Sequence, residues 1–353
     1  MDLEFWTGKR VLVTGHTGFK GTWLCRMLAM LGARVVGYAL EPATAEGKRF
    51  FEVAASEAAE SHVGDVRDLA HLQEVFAEFR PEIVFHLAAQ PIVLESYRDP
   101  VGTYGTNVMG TVHLMECVRQ TESVRSVVNV TTDKVYENRE WEWGYRENDV
   151  LDGFDPYSNS KSCSELVTRS YRRSFFGERE VAVSTVRAGN VIGGGDFAQH
   201  RIVPDCVRAA CKGEMIQVRN PHSIRPYQHV LEPLAAYLLV AERQYSHREL
   251  AGSYNVGPEE SDCVTTGTLA AMFCEAWGEG MQWQSVSLAS AHEAQFLKLD
   301  CSRLKRTFGW KPVWHIDEAI RRTVEWSKAW HAGEDIVPVM ERQIREFRNC
   351  AKS

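Results

Sequence analysis

The stretch Arg10-Val11-Leu12-Val13-Thr14-Gly15-His16-Thr17-Gly18-Phe19-Lys20-Gly21 restricts the folds open to this chain more than any other. Its apolar, β-branched start reads as a buried strand. The spacing Trp23, Leu24, Met27, Leu28, Leu31, closed by Gly32, reads as a helix that follows directly. Glycines between a strand and a helix let backbone amides come close to a pyrophosphate, and the helix N-terminus favours its negative charge. Gly15, Thr17, Gly18, Phe19 and Gly21 are therefore candidate dinucleotide contacts. His16 admits two readings, a solvated loop side chain or a contact to cofactor phosphates.

A regular rhythm follows. Arg34 to Leu40 and Ser61 to Val66 read as the second and third strands, and Pro81 to Gln90 is the continuous apolar run of a parallel strand buried on both faces. It ends in Leu87-Ala88-Ala89-Gln90, small residues that leave room for a cofactor. Asp99-Pro100 starts a long helix containing Asn107, which in a helix interior is either solvated or bonded to a neighbouring backbone group. Ser126 to Thr132 and Val181 to Val186 are further strands. Strands alternating with helices predict an α/β fold, a Rossmann-type doubly wound parallel sheet. Residues 1–187 are expected to form the dinucleotide-binding domain, with 228–258 returning to it. Beyond Gly195 the rhythm breaks, and residues 188–227 and 259–353 make a smaller C-terminal α/β lobe for the substrate.

Composition removes several function classes. At 353 residues the chain outgrows a single core, so a large domain with a lobe, or two domains, is expected. The net charge of -7 argues against a nucleic-acid binder. The 9 cysteines lack paired short spacings, which fits reduced thiols in the cytoplasm and assembles no metal site. No apolar run approaches a membrane-spanning length, so the protein is expected to be soluble, with no membrane partner.

Proton-handling groups concentrate in Asn129-Val130-Thr131-Thr132-Asp133-Lys134-Val135-Tyr136 and in Asp155-Pro156-Tyr157-Ser158-Asn159-Ser160-Lys161. Asp155 as N-cap and Pro156 at the first helical position start a helix there, which puts Tyr157 and Lys161 on one face. Between the two stretches, Glu140 to Phe154 is a polar, Trp-rich insertion of the kind that often serves as a lid.

With its Gly-x-x-Gly-x-x-Gly loop, the Thr132-Asp133 pair and Tyr157-x-x-x-Lys161, the chain resembles the nucleotide-sugar dehydratases of the extended short-chain dehydrogenase/reductase superfamily. Asp133-Lys134 stands where others have Asp-Glu. Together with Arg225-Pro226-Tyr227-Gln228-His229-Val230-Leu231-Glu232 and His292-Glu293-Ala294, it is most similar to the branch that takes CDP-D-glucose. The resemblance runs from about Lys9 to Pro312. It implies NAD as cofactor, a nucleotide-sugar substrate and a homo-oligomer, dimer or tetramer.

The resemblance also implies roles. Tyr157 is the base for oxidation at C4 of the hexose, its phenol, ordinarily near ~10, pulled down by the charges of Lys161 and nicotinamide. Thr132 bonds the C4 oxygen. Asp133 is the acid that protonates the departing C6 hydroxyl. Lys134 occupies the place of a Glu base; it either takes the C5 proton as a neutral amine or stabilises the enolate while another group is the base. Asp65, with Val66 beside it, holds the adenine amine, unless Asp65 merely caps the helix starting near Leu69. Asn107 keeps the active-site strand in position. Where relatives place a ribose-binding Asp, this chain has Tyr38-Ala39-Leu40-Glu41, which leaves the choice of NAD over NADP open. Arg201 and Arg225 are forks for the substrate diphosphate or else surface and ion-pair residues, Asn190 is a substrate contact, and Trp283 and His292 pack in the second lobe. A sugar-nucleotide 4-epimerase, which needs no acid or base at 133 and 134, is the alternative enzyme. A binding module that kept only the fold is the third reading.

Overall fold

The computed structural model describes residues 2–177, 179–286 and 296–351. The strands β1 (Arg10–Thr14), β2 (Arg34–Ala39), β3 (Glu60–Val63), β4 (Ile83–His86), β5 (Ser126–Val130) and β6 (Ala182–Ala188) join the strand Ser253–Val256 in one sheet. Its order is Ser253–Val256, β6, β5, β4, β1, β2, β3, and every pairing is parallel. The chain leaves β1 toward β3 on one side and returns to β4 on the other. The carboxyl ends of β1 and β4 therefore part to form the crevice in which such sheets bind ligands.

Strand alternation divides the core. Val11, Val13, Ile83, Phe85, Val128 and Val130 face one side, with Trp6, Trp23 and Leu234. Leu12, Val84, Val127 and Val183 face the other, with Phe76, Leu114 and Val118. Side chains covered on both faces explain why β4 and β5 read as unbroken apolar runs. The regular part of β4 is shorter than its run. After Leu87 donates to Thr14 O at 3.1 Å, residues 87–90 leave the ladder and line the crevice.

The helix expected over residues 100–120 comes in three pieces: Pro100–Tyr104, a π-helical turn Gly105–Met109, and Gly110–Gln120. Asn107 sits inside the wide turn, a form that recurs at functional sites. The helix Pro156–Ser174 starts as expected, with the Asp155 carboxylate accepting from Ser158 N at 2.9 Å.

Past residue 190 a second core gathers Ile192, Val203, Cys206, Tyr227, Leu269, Phe273 and Ile320. Trp283 lies here, half-buried on the short strand Trp283–Ser285 that pairs with Ile216–Val218, while His292-Glu293-Ala294 falls outside the described residues. The helices Ile316–His331 and Ile336–Cys350 close the chain. Trp326, Met340 and Phe347 on these helices join the cluster that contains Trp23 and Phe50. The insertion at 140–154 is not a free lid. Tyr136 bridges Leu151, Tyr145 bridges Leu299, and the Glu147 carboxylate accepts from Asn255 N at 2.9 Å. Among the described residues no helix is long and apolar enough to cross a membrane, and no His, Cys, Asp and Glu group could hold a metal ion.

Candidate active site

The glycine loop lies in the crevice where β1 meets the helix Phe19–Met30. Gly15 has φ +73°, and a Cβ there would stand 2.7 Å from Ala88 N. A Cβ on Gly21 would sit 2.2 Å from Gly15 O. Both positions thus require glycine for the loop to lie against β4 and the helix to begin so close. Thr17 Oγ1 donates to Leu40 O at 2.9 Å, and Ala88 N donates to Thr14 Oγ1 at 3.2 Å, which fixes the loop and the Leu87-Ala88-Ala89 wall around one open space.

His16 is not a solvated loop side chain. Its ring is buried under Gly37, where a Cβ would meet it at 2.2 Å, and Nε2 is 2.7 Å from Ser61 Oγ. Burial, against the opposing pull of the Tyr38 backbone, lowers its pKa to about 4, so the imidazole is neutral and buttresses β2 and β3.

Asp65 does not cap the helix Leu69–Phe79; Asp68 does, accepting from His71 N at 3.1 Å. Asp65 instead takes the Arg67 guanidinium at 2.6 Å and Arg67 N at 2.8 Å, and the Arg67 bond holds its carboxyl below the usual range. The Val66 side chain belongs to the core, so any cofactor contact it makes is through its main chain. Glu41 is exposed and its nearest cation is Lys48, 3.9 Å away. Asn107 is buried rather than solvated. Its Oδ1 accepts from Gln90 N at 2.8 Å, while Nδ2 donates to Gln90 O at 3.1 Å and to Ser160 Oγ at 2.8 Å. That side chain ties the end of β4 to the helix carrying Tyr157 and Lys161.

Beyond β5 the chain turns through a short 3₁₀ segment, Asp133–Val135, capped by Thr132. Thr132 Oγ1 donates to Asp133 Oδ1 at 3.0 Å, and the Thr132 hydroxyl lies close enough to the Tyr157 phenol to lower its pKa. Thr132, Asp133 and Tyr157 thus form one buried group. Asp133 Oδ2 is buried without a partner, and burial raises the carboxyl's pKa against the opposing pull of Lys134, the Thr132 bond and Arg225. Lys134 is half-buried beside it.

Tyr157 departs from expectation. Burial pushes its phenol up to about 12, outweighing the Thr132 bond and the charge of Arg201. Lys161 donates from Nζ to Val130 O at 3.1 Å. Burial first, and Lys20 second, lower the Lys161 ammonium to about 7, which weakens the cation expected to activate the phenol. One turn along the helix, Glu165 forms an ion pair with Arg187 at 2.8 Å, with both side chains almost fully buried.

Arg225, on the strand Ile224–Pro226, is buried and close enough to Asp133 to lower its pKa. Arg201 is half-buried and donates to Asp196 Oδ2 at 3.1 Å. The Asn190 side chain is half-buried in the turn after β6. The rest of the 225–232 stretch is scaffold. Gln228 Nε2 donates to Val256 O at 3.0 Å, the His229 ring lies against Trp23 and Trp314, and Glu232 accepts from Val313 N at 2.8 Å and Trp314 N at 2.6 Å. Lys20 escaped the sequence reading, although a lysine between Phe19 and Gly21, in the first turn of the helix that follows the glycine loop, was a signal. It reaches the same cleft, within the electrostatic range of Asp133, Asp196 and Arg201.

Among known proteins, the family described as GDP-mannose 4,6 dehydratase matches residues 12–323. A CDP-glucose 4,6-dehydratase of Salmonella typhimurium is 48% identical over 354 residues, covering 98% of each chain. The solved UDP-glucose 4-epimerase of Thermus thermophilus, in complex with NAD, superposes with a TM-score of 0.78 at 26% identity, over 90% of this chain and 99% of that one. A dTDP-glucose 4,6-dehydratase of Bacillus anthracis in complex with NAD gives 0.77 at 19% identity, over 94% and 100%, and supports the fold alone. A family match that begins in the first strand and ends in the helix Ile316–His331, joined to nearly full-length similarity to one dehydratase, shows that the chain belongs to the GDP-mannose 4,6 dehydratase family, within the extended short-chain dehydrogenase/reductases.

Proposed function

We propose that the protein is a hydro-lyase that converts CDP-D-glucose to CDP-4-dehydro-6-deoxy-D-glucose and water, with NAD as its cofactor. The observation that carries this reading is Asp133: a buried carboxyl with one unpartnered oxygen and a raised pKa, next to the Thr132–Tyr157 pair. The crevice fits a dinucleotide, because Gly15 and Gly21 let the loop close tightly on Ala88 and on its own backbone at the end of β1, and Leu87, Ala88 and Ala89 stay partly exposed beside it. Gly15, Thr17, Gly18, Phe19, Gly21, Asp65, Val66, Gln90 and Lys161 would hold NAD, with the adenosine toward Asp65. Bound there, NAD would supply reversible hydride transfer, out from C4 and back to C6.

The side chains account for the protons. Tyr157 takes the C4 hydroxyl proton while Thr132 holds that oxygen. A buried phenol near 12 binds its proton too tightly for this, so the site is completed by positive charge brought to it. Once C4 is a ketone the C5 hydrogen is acidic. Lys134 serves C5, as a neutral amine that takes the proton or as a cation that stabilises the enolate. Asp133 gives its proton to the C6 oxygen, which leaves as water; when C6 receives its hydride a proton returns to C5, and the proton taken by Tyr157 makes good the one Asp133 gave. Arg201, Arg225 and Asn190 would take the nucleoside diphosphate, in the lobe formed by residues 188–227 and 259–353.

Likeness to a UDP-glucose 4-epimerase favours a second reading, epimerisation at C4. That reaction has no use for Asp133. Purified protein supplied with CDP-glucose should generate the base-sensitive absorbance of a 4-keto-6-deoxy sugar. No such product from CDP-, dTDP- or UDP-glucose or GDP-mannose would sink the dehydratase reading. We place the protein in the cytoplasm as a homo-oligomer. Tyr97, Val101 and Leu166 are exposed on helices that pack side by side, an apolar surface suited to a second copy, and sedimentation of the purified protein tests it.

A further inference from the structure

Residues 20 and 23 stand three apart on the helix Phe19–Met30 and so share a face. Trp23 fixes where that face looks, because its Nε1 donates to Gly194 O at 2.8 Å. Phe19 closes the same seam; a Cβ on Gly193 would lie 3.3 Å from its ring. Lys20 therefore projects toward the turn that ends at Asp196. That carboxylate is taken by Arg201 at 3.1 Å, and Asp133 Oδ1 is taken by Thr132 at 3.0 Å. No hydrogen bond or ion pair engages Lys20 Nζ among the described residues.

The Lys20 side chain is half-buried, and an amine held there among other cations favours an anionic partner. Burial first, and Arg201 next, lower its pKa to about 8, against the pull of Asp196 and Asp133. Arg201, Lys134, Lys161 and Arg225 add positive charge around the same cleft, while Asp196 is already paired and Asp133 tends to keep its proton. An anion entering the cleft would supply the partner that Lys20 lacks. Between a glycine loop and the arginine at 201, the anion of the right shape is a diphosphate.

We propose that Lys20 is a diphosphate-binding residue at the seam between the glycine loop and the Asp196–Arg201 pair. The proposal rests on the nucleotide-sugar reading. Two diphosphates meet this description, that of the dinucleotide and that of the nucleoside diphosphate sugar. Calorimetric titration of wild type, Lys20→Met and Lys20→Arg with NAD and, separately, with CDP distinguishes them. Removing a charge-assisted bond should weaken one ligand by about 10- to 100-fold in Lys20→Met. Lys20→Arg should retain most of that affinity. Loss confined to NAD assigns the ammonium to the cofactor, and loss confined to CDP assigns it to the substrate. Unchanged affinity for both overturns the proposal while leaving the nucleotide-sugar reading intact, whereas a wild type that binds neither ligand overturns both. Lys20→Gln, uncharged but polar, repeats the measurement if methionine disturbs the fold.

Discussion

Asp133 and Glu165 are carboxylates buried at opposite ends of one short span, and the protein treats them in opposite ways. Burial raises the proton affinity of each. Around Glu165 it is overcome: Arg187 binds both oxygens at 2.9 and 2.8 Å, Thr131 and Thr185 donate at 2.6 and 2.7 Å, and the net pKa is lowered. Asp133 receives one hydroxyl at 3.0 Å and keeps Oδ2 bare, so burial wins and its pKa is raised. Burial alone therefore does not make an acid. The number of donors decides whether a buried carboxyl locks structure or holds a proton ready to give.

The comparison can be broken in several ways. Asp133→Asn should lower turnover by about 10²- to 10⁴-fold. In a single turnover, reduced nicotinamide should build up, because elimination slows more than C4 oxidation. Equal slowing of both steps would mean that Asp133 is not the specific acid. Next in size, Glu165→Gln strips the buried Arg187 of its counter-charge and should cost about 3–5 kcal/mol in urea unfolding.

Acidity should then separate the two sites. The Glu165 pKa is depressed in the folded state, so its stabilisation is present above the unfolded value of 4.5 and is lost as pH falls through the folded one. The unfolding gap between wild type and Glu165→Gln should narrow in acid. Asp133, raised from 3.8, works the other way: its favourable contribution disappears as pH rises through its folded pKa. Asp133→Asn should accordingly be more stable than wild type near neutral pH, by up to about 2 kcal/mol, although far less active. A destabilised Asp133→Asn would erase the contrast.

The strands and the proton-handling pair were legible because local rules govern them. A strand covered on both faces must be apolar throughout, and Asp155-Pro156 starts a helix wherever it falls. The burial of the His16 ring was not legible because it depends on Gly37, 21 residues away, whose missing Cβ makes room for it. The wide turn at Gly105–Met109 has no composition signal; it is visible only through the bonds Asn107 makes to Gln90 and Ser160. Charge spacing likewise could not show that burial raises the Tyr157 phenol against Thr132 and Arg201, since desolvation is a property of the packed site. The motif at 225–232 stood out in the sequence; its Arg225 comes near the acid, while Gln228 and Glu232 are tied to the scaffold.

The turn at 193–195 has a consequence for how the protein can be altered. A Cβ on Gly194 would lie 1.9 Å from the Trp326 ring, and one on Gly195, at φ +87°, would lie 2.4 Å from Phe50. Trp23 holds the same turn from the opposite side. The segment that carries Asn190 and Asp196 is thus keyed like a dovetail joint, cut by a tryptophan more than 130 residues downstream. Anyone trimming or swapping the C-terminal helices to make a smaller or hybrid enzyme would be recutting the mouth of the reaction cleft, so chimeras should be joined outside this joint and carry both of its halves from one parent.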